Sequence, residues 1–167
     1  MEIERKFLVG RLPDNLSSYQ CLVIEQAYLC TDPVVRIRRQ DGEYYLTYKG
    51  KGLMVREEYN LPLNKEAYYH LLAKADGNII SKKRYLIPLS EPAFAESYRT
   101  SAAPDTLPEL KIELDLFDPP FAPLVLAEVE FPDEEMARAF LPPAWLGKDV
   151  TNDREYHNSN MSLKKLQ

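Results

Sequence analysis

Little in this sequence marks the chemistries that are most easily read from a chain. There are two histidines and two cysteines among 167 residues, too few to expect a zinc site. Cys21 and Cys30 lack metal-ligand spacing and cannot build a disulfide framework, so they read as ordinary thiols. No Ser–His nucleophile constellation stands out. No apolar segment approaches the ~18 residues of a membrane span, and no basic stretch running into an apolar one opens the chain. A cytoplasmic protein with no membrane partner is therefore expected. The net charge of −5 argues against nucleic acid held by bulk charge, though it leaves room for a local basic pocket. Gly50-Lys51-Gly52 lacks the spacing of a phosphate loop and reads as a hairpin turn.

With 45% hydrophobic and 28% charged residues, the composition is that of an ordinary globular chain. No linker or internal repeat divides it, so a single domain over 1–167 is expected. Apolar and polar residues alternate, or β-branched runs gather, over 1–9, 21–29, 34–39, 43–49, 54–62, 79–88, 109–117 and 124–131. Asp41-Gly42 is a strong hairpin signal between two of these strands. Helices are expected over 65–75, capped by Asn64, from Asp133 with Met136, Ala137 and Phe140 as its stripe, and near the C-terminus. Residues 89–108, rich in Ser, Ala and Pro, read as an extended loop at the surface or as a lid.

The first strand carries the most informative pattern. Alternation puts Glu2, Glu4 and Lys6 on one face and Ile3, Arg5 and Phe7 on the other, with same-face neighbours ~6.5–7 Å apart. Two such carboxylates can share a divalent cation, and an ammonium one step on can hold a phosphate or a water. Alone, this is equally a solvated strand face. Elsewhere, however, same-face charges recur: the bases Lys6, Arg36, Arg38, Lys49, Arg56, Lys82 and Arg84 against the acids Glu2, Glu4, Glu58, Glu113, Asp115, Glu128 and Glu130. Most stand two apart in pairs of one sign, which repel unless something compensates them. About eight strands can close around one small ligand. With the charges inward, such a barrel would present phosphate-binding and metal-binding walls, hydrated until a ligand arrives. An open sheet with one wet face remains the alternative.

The order of these motifs resembles that of the CYTH or triphosphate tunnel metalloenzyme superfamily. Its hallmark Glu-x-Glu-x-Lys stands here as Glu2-Ile3-Glu4-Arg5-Lys6. It is followed by Arg36-x-Arg38, Lys49, Arg56-x-Glu58, Lys82-x-Arg84, Glu113-x-Asp115 and Glu128-x-Glu130, and by an ending with Asp153, Tyr156 and Asn158. The resemblance implies a mainly β fold: a closed eight-stranded antiparallel barrel, a hydrophilic tunnel, and helices packed outside. It also implies a metal-dependent hydrolase of inorganic triphosphate or a small organic triphosphate, using Mg²⁺ or Mn²⁺, most like the short bacterial members. Carried over by position, Glu2, Glu4, Glu128 and Glu130 would be metal ligands, Glu58 would serve a second ion, and Glu113 and Asp115 would complete the acidic set. Lys6, Arg36, Arg38, Lys49, Arg56, Lys82 and Arg84 would bind phosphates. Lys6, Glu4 and Tyr28 would act in catalysis, with metal-activated water attacking the terminal phosphorus. Tyr28 could equally be a packed strand tyrosine. The chain departs from the family pattern at Asn60, where many relatives have an acid, and at Glu155. A class IV-like adenylate cyclase and a non-catalytic polyanion-binding barrel are the competing readings. The expected partner is a small-molecule triphosphate and not nucleic acid. The oligomeric state stays open, a homodimer being one option.

Overall fold

A side-chain period of two sorts apolar residues to one face of each strand and charges to the other, and the sheet curls so that the charges lie inside. The computed structural model describes residues 1–101 and 106–166. Its strands are β1 (Glu2–Leu8), β2 (Gln20–Thr31), β3 (Val34–Gln40), β4 (Glu43–Lys49), β5 (Val55–Arg56), β6 (Glu58–Leu63), β7 (Asp76–Leu89), β8 (Ala93–Phe94), β9 (Leu110–Phe117), β10 (Val125–Glu130) and β11 (Phe140–Leu141). β8 and β11 pair with each other. The other nine make one antiparallel sheet in the order β5-β1-β10-β9-β7-β2-β3-β4-β6.

That order closes the ring. The strand expected over 54–62 breaks at Glu57. Its first part pairs with β1 (Glu2↔Arg56) and its second with β4 (Lys49↔Glu58). Counted as one bent strand, β5 and β6 join the two ends of the sheet and give an eight-stranded barrel. Farther along β1, residues 147–151 run beside it, with Leu8 N donating to Lys148 O and Val150 N to Lys6 O. Arg5, on the outer face, secures this segment. Its Nε and Nη2 reach Asp149 Oδ2 at 3.1 and 2.7 Å, while Nη1 donates to the carbonyls of Ala137 and Phe140.

The main core lies outside the barrel, between sheet and helices. Helix α1 (Lys65–Leu72) starts at Asn64, whose Oδ1 accepts from Ala67 N at 2.7 Å, a cap of the expected kind. It lays Tyr68, Leu71 and Leu72 against Ala27, Ile37 and Leu46. Helix α3 (Glu134–Ala139), capped by Asp133, packs Met136 and Ala137 with Phe7, Leu114 and Val129. Each such large side chain contributes roughly 1.5–3 kcal/mol on burial. With the apolar work done outside, the lumen is free to be polar.

Two features were not expected from sequence. Residues 89–108 are not one loop, because β8 is followed by α2 (Glu96–Ser101). Phe94 and Tyr98, four apart, bury together against the Phe140 region of the outer core. Two apolar residues were too few to register as a period, and 102–105 lie outside the described residues. The lumen is also stopped at one end. The inward residues Ile80, Phe117 and Leu126 cluster there with Tyr28 and with Met161 from α4 (Asn158–Ser162). Gly77, at φ +70°, allows this seating, since a Cβ there would lie 2.2 Å from the Ser162 carbonyl oxygen.

Candidate active site

Above this apolar stop lies a cavity of about 920 Å³. The expected site residues converge on it with one exception. Glu2, Glu4, Lys6, Tyr28, Arg36, Arg38, Lys49, Arg56, Glu58, Lys82, Arg84, Glu113, Glu128 and Glu130 all line it. Asp115 does not; it is fully buried behind the wall.

Cross-strand register decides which charges cancel. Lys6 faces Glu128 across β1 and β10, and the ion pair is 2.9 Å long; Glu4 lies 3.8 Å away on the other side. Burial alone would lower the Lys6 pKa, but Glu128 and then Glu4 more than offset it and keep the ammonium charged. Lys49 pairs with Glu2 at 2.7 Å and with Glu58 at 3.0 Å. Arg84 is the hub of the acidic side. It holds Asp115 through Nε and Nη2, reaches Glu128 at 2.7 Å, and pairs closely with Glu113. Lys82 donates to Asp115 at 2.6 Å. Because Arg84 already neutralises that carboxylate, burial prevails, and the Lys82 pKa falls from 10.5 to about 7. Arg56 is turned to the backbone, donating to the Gly50 carbonyl.

Two buried cations are left over. Arg36 and Arg38 are both buried, and neither meets a carboxylate within 4 Å among the described residues. Arg36 donates from Nη2 to Thr47 Oγ1, and its Nε has no hydrogen-bond partner. Arg38 donates twice to Gln26 Oε1, at 3.0 and 2.8 Å. Burial lowers the Arg38 pKa, and repulsion from Arg36 and Arg84 adds to it. A buried donor left unpaired among like charges is chemically suited to receive an anion.

Gln26 passes this arrangement on. Its oxygen is taken by Arg38, so its amide nitrogen is left to donate to Tyr28 Oη at 3.2 Å. The Tyr28 proton is then free to point into the cavity. Tyr28 is thus both packed, among the stop residues, and part of the cavity lining.

The acidic wall shows the opposite strain. Glu4 and Glu130 are direct cross-strand partners of like charge. Burial raises the Glu130 pKa, and Glu113, Glu58 and Glu4 push it further. Glu2 is also raised, by burial and then by Glu4. Burial would raise Glu58 as well, but its hydrogen bond with Glu2 and the Lys49 charge hold it below its ordinary value. Among the described residues no three of these groups already converge as a metal cluster. Carboxylate oxygens under mutual repulsion nevertheless form the donor set of a hard divalent cation, so the residues present fit one.

Sequence reasoning gave no site role to several lining residues. His157, Asn158 and Ser159 form part of the wall. His157 is buried beside Lys6, which keeps it neutral: burial and then the Lys6 charge lower its pKa, and Nε2 lies 3.3 Å from the Thr151 carbonyl. Asn158 Oδ1 accepts from Lys82 at 3.4 Å. No spacing could have placed a C-terminal histidine beside the first strand. Thr47 and Gln26, which bond Arg36 and Arg38 without lining the cavity, were within reach, since Thr47 shares a strand face with Lys49 and Gln26 with Tyr28.

Fold and site together define a class of protein: an antiparallel barrel with a charged lumen, cationic on one wall and carboxylate-rich on the other. The comparisons agree. A CYTH domain model matches residues 1–137. The inorganic triphosphatase of Nitrosomonas europaea is 35% identical over 165 residues, 97% of each chain. That of Acetivibrio thermocellus is 31% identical over 166 residues, 96% of this chain and 92% of its own. A crystal structure of the inorganic triphosphatase NE1496 superposes at TM-score 0.64 with 32% identity, covering 99% of this chain and 96% of that one. The chain belongs to the CYTH family. HpAC1 of Hippeastrum, whose dominant activity is that of a triphosphatase, shares the fold at TM-score 0.53 and 16% identity, over 83% of each chain. Among the described residues, no helix is long and apolar enough to cross a membrane.

Proposed function

We propose that this protein hydrolyses triphosphates, with inorganic triphosphate as the simplest substrate, and that it does so in the lumen with a divalent cation such as Mg²⁺ or Mn²⁺. The observation that carries this reading is the pair Arg36 and Arg38: two buried guanidiniums without a carboxylate partner, in one cavity with carboxylates that repel one another. The names of the bacterial relatives support the same reading.

Water adds to the terminal phosphorus as the anhydride P–O bond breaks, giving phosphate and diphosphate. Little covalent work falls to the protein in such a reaction, so placement and charge neutralisation carry most of it. Arg36 Nε and the Arg38 guanidinium bind phosphate oxygens. Lys6 keeps its proton beside Glu128 and so acts as a donor, orienting water or neutralising the oxygen it faces. Tyr28 donates its free hydroxyl proton into the same space. Glu2, Glu4, Glu58, Glu113, Glu128 and Glu130 are the groups that would hold the cation. When bound, it neutralises phosphate charge and acidifies water. Asp115 serves the site differently from the metal ligand expected of it: it is a buried counter-charge that fixes Lys82 and Arg84.

One observation favours substrates with an organic end. Towards the open mouth the charges thin out: Gln40 and Leu86 stand two residues beyond Arg38 and Arg84, and with Leu22, Tyr45 and Pro62 they line that part of the cavity beside Glu43 and Lys111. Tyr45 lies under Arg38, and its hydroxyl donates to Gln40. A volume of about 920 Å³ is within the ~300–1,000 Å³ that encloses drug-sized ligands. Phosphate release from inorganic triphosphate, ATP and thiamine triphosphate, with and without Mg²⁺ or Mn²⁺, tests the proposal. Release from none of them, with cyclic AMP formed from ATP, would replace it by the cyclase reading.

A further inference from the structure

Arg56, Glu58 and Asn60 share the lumen face of β5 and β6, and Asn60 is the uncharged member of the three. Its amide makes two bonds. Thr47 Oγ1 donates to Asn60 Oδ1 at 2.7 Å, and Asn60 Nδ2 donates to Glu58 Oε1 at 2.8 Å. Thr47 in turn accepts from Arg36 Nη2 at 3.0 Å. The amide orientation is forced, because an ionised carboxylate only accepts hydrogen bonds, so the nitrogen must face Glu58. The resulting chain, Arg36–Thr47–Asn60–Glu58, crosses from the cationic wall to the acidic one. Each end leaves a buried atom without a hydrogen bond, Arg36 Nε and Glu58 Oε2. Lys49 Nζ approaches the latter at 3.0 Å as an ion pair only.

We propose that Asn60 is a positioning residue that holds Arg36 and Glu58 in one arrangement, and that an amide at this position limits how many divalent cations the acidic wall takes up. The inference rests on the triphosphatase reading above. A carboxylate at position 60 would accept from Thr47 but, ionised, could not donate to Glu58. It would also add a negative charge to a wall where Glu4 and Glu130 already face each other. The bridge would break at the Glu58 end, and a further cation would be needed to balance the wall. Asn60 thus sets the cation count, and Thr47 carries the restraint to the phosphate-binding side.

Calorimetric titration of Mg²⁺ and of Mn²⁺ into the substrate-free wild type, Asn60→Asp, Thr47→Val and Thr47→Ser tests both parts, alongside KM and kcat for inorganic triphosphate. Asn60 is solvent-exposed within the cavity, so Asn60→Asp is expected to fold; it should bind one more cation per chain than the wild type. Thr47→Val should keep the wild-type cation count but raise KM about tenfold with little loss of kcat, the loss of one charge-assisted bond. Thr47→Ser should restore the wild-type KM. Equal cation counts and affinities in wild type and Asn60→Asp would overturn the limit on cations, and a wild-type KM in Thr47→Val would overturn the positioning role. Failure of the wild type to hydrolyse any triphosphate would overturn the reading beneath, while the cation counts would still decide this one.

Discussion

Arg84 clamps both oxygens of Asp115, Nε meeting Oδ1 at 2.6 Å and Nη2 meeting Oδ2 at 2.7 Å. Lys82 adds a third charged bond at 2.6 Å, so most of the acceptor sites of Asp115 are taken. Removing one partner of such a buried cluster costs about 3–5 kcal/mol, because uncompensated charge is left behind. Asp115→Asn should therefore lower the unfolding free energy by that amount in denaturant titrations. A small loss of stability with a large loss of cation affinity would instead mark Asp115 as a metal ligand.

Lys82 makes the apoprotein's stability depend on pH in a defined window. Its folded value is about 7 against 10.5 when unfolded. The unfolded chain binds the extra proton between these values, so stability rises with pH across them. The burial penalty is fully present below about pH 7 and absent above about 10.5. Lys82→Met, which leaves Asp115 to Arg84, should flatten this rise relative to wild type in urea midpoints measured from pH 7 to 10.5. Parallel curves for the two proteins would show that Lys82 titrates normally.

Arg38 is held by Gln26 and repelled by Arg36, and this combination should make it a substrate ligand. Arg38→Ala should raise KM for triphosphate about 10- to 100-fold, as expected for the loss of charge-assisted bonds worth ~1.5–3 kcal/mol. Gln26→Leu should act mainly on kcat, because it frees the Tyr28 hydroxyl from its donor while leaving the guanidinium charge in place. Tyr28→Phe should reproduce that fall in kcat, and steady-state kinetics of the three variants decide the matter.

Leu86 is one of the uncharged residues near the cavity mouth and stands two residues beyond Arg84. Leu86→Asp should lower kcat/KM for ATP and thiamine triphosphate severalfold more than for inorganic triphosphate, by placing a desolvated carboxylate against the organic end. An equal fall for all three substrates would assign Leu86 no part in selectivity.

Much of the site was legible because strand alternation is a local property. Glu2, Glu4 and Lys6 share a face whatever the rest of the chain does, as do Arg36 with Arg38 and Glu128 with Glu130. The same rule that put these charges together also put Ile3, Phe7, Leu114 and Val129 in the outer core. The hairpin at Asp41-Gly42 and the Asn64 and Asp133 caps rest on equally local chemistry. Less was legible where a bond joins distant segments. Arg5 was read as a face-mate of Ile3 and Phe7, yet it ties Asp149 and the end of α3 to β1.

The sequence by itself determined which side chains enter the lumen, since two residues per repeat admits only one set of charges on each inward face. It also implied their balance, seven bases against seven acids. What it could not determine is which of those charges remain available. Of the like-signed pairs, Arg36 and Arg38 are left without a carboxylate partner among the described residues, and Arg36 Nε without any hydrogen bond. For Lys82 and Arg84 the compensation is internal, from Asp115, Glu113 and Glu128. Only the tertiary structure decided this, because register sets which residues stand opposite one another across the ladder. Arg84 lies opposite Asp115 on β9, whereas Arg38 lies between Gln26 on β2 and Tyr45 on β4. Coulomb interaction falls with distance and is strongest where water is excluded, so those neighbours fix whether a buried cation is already neutralised or still open to an anion.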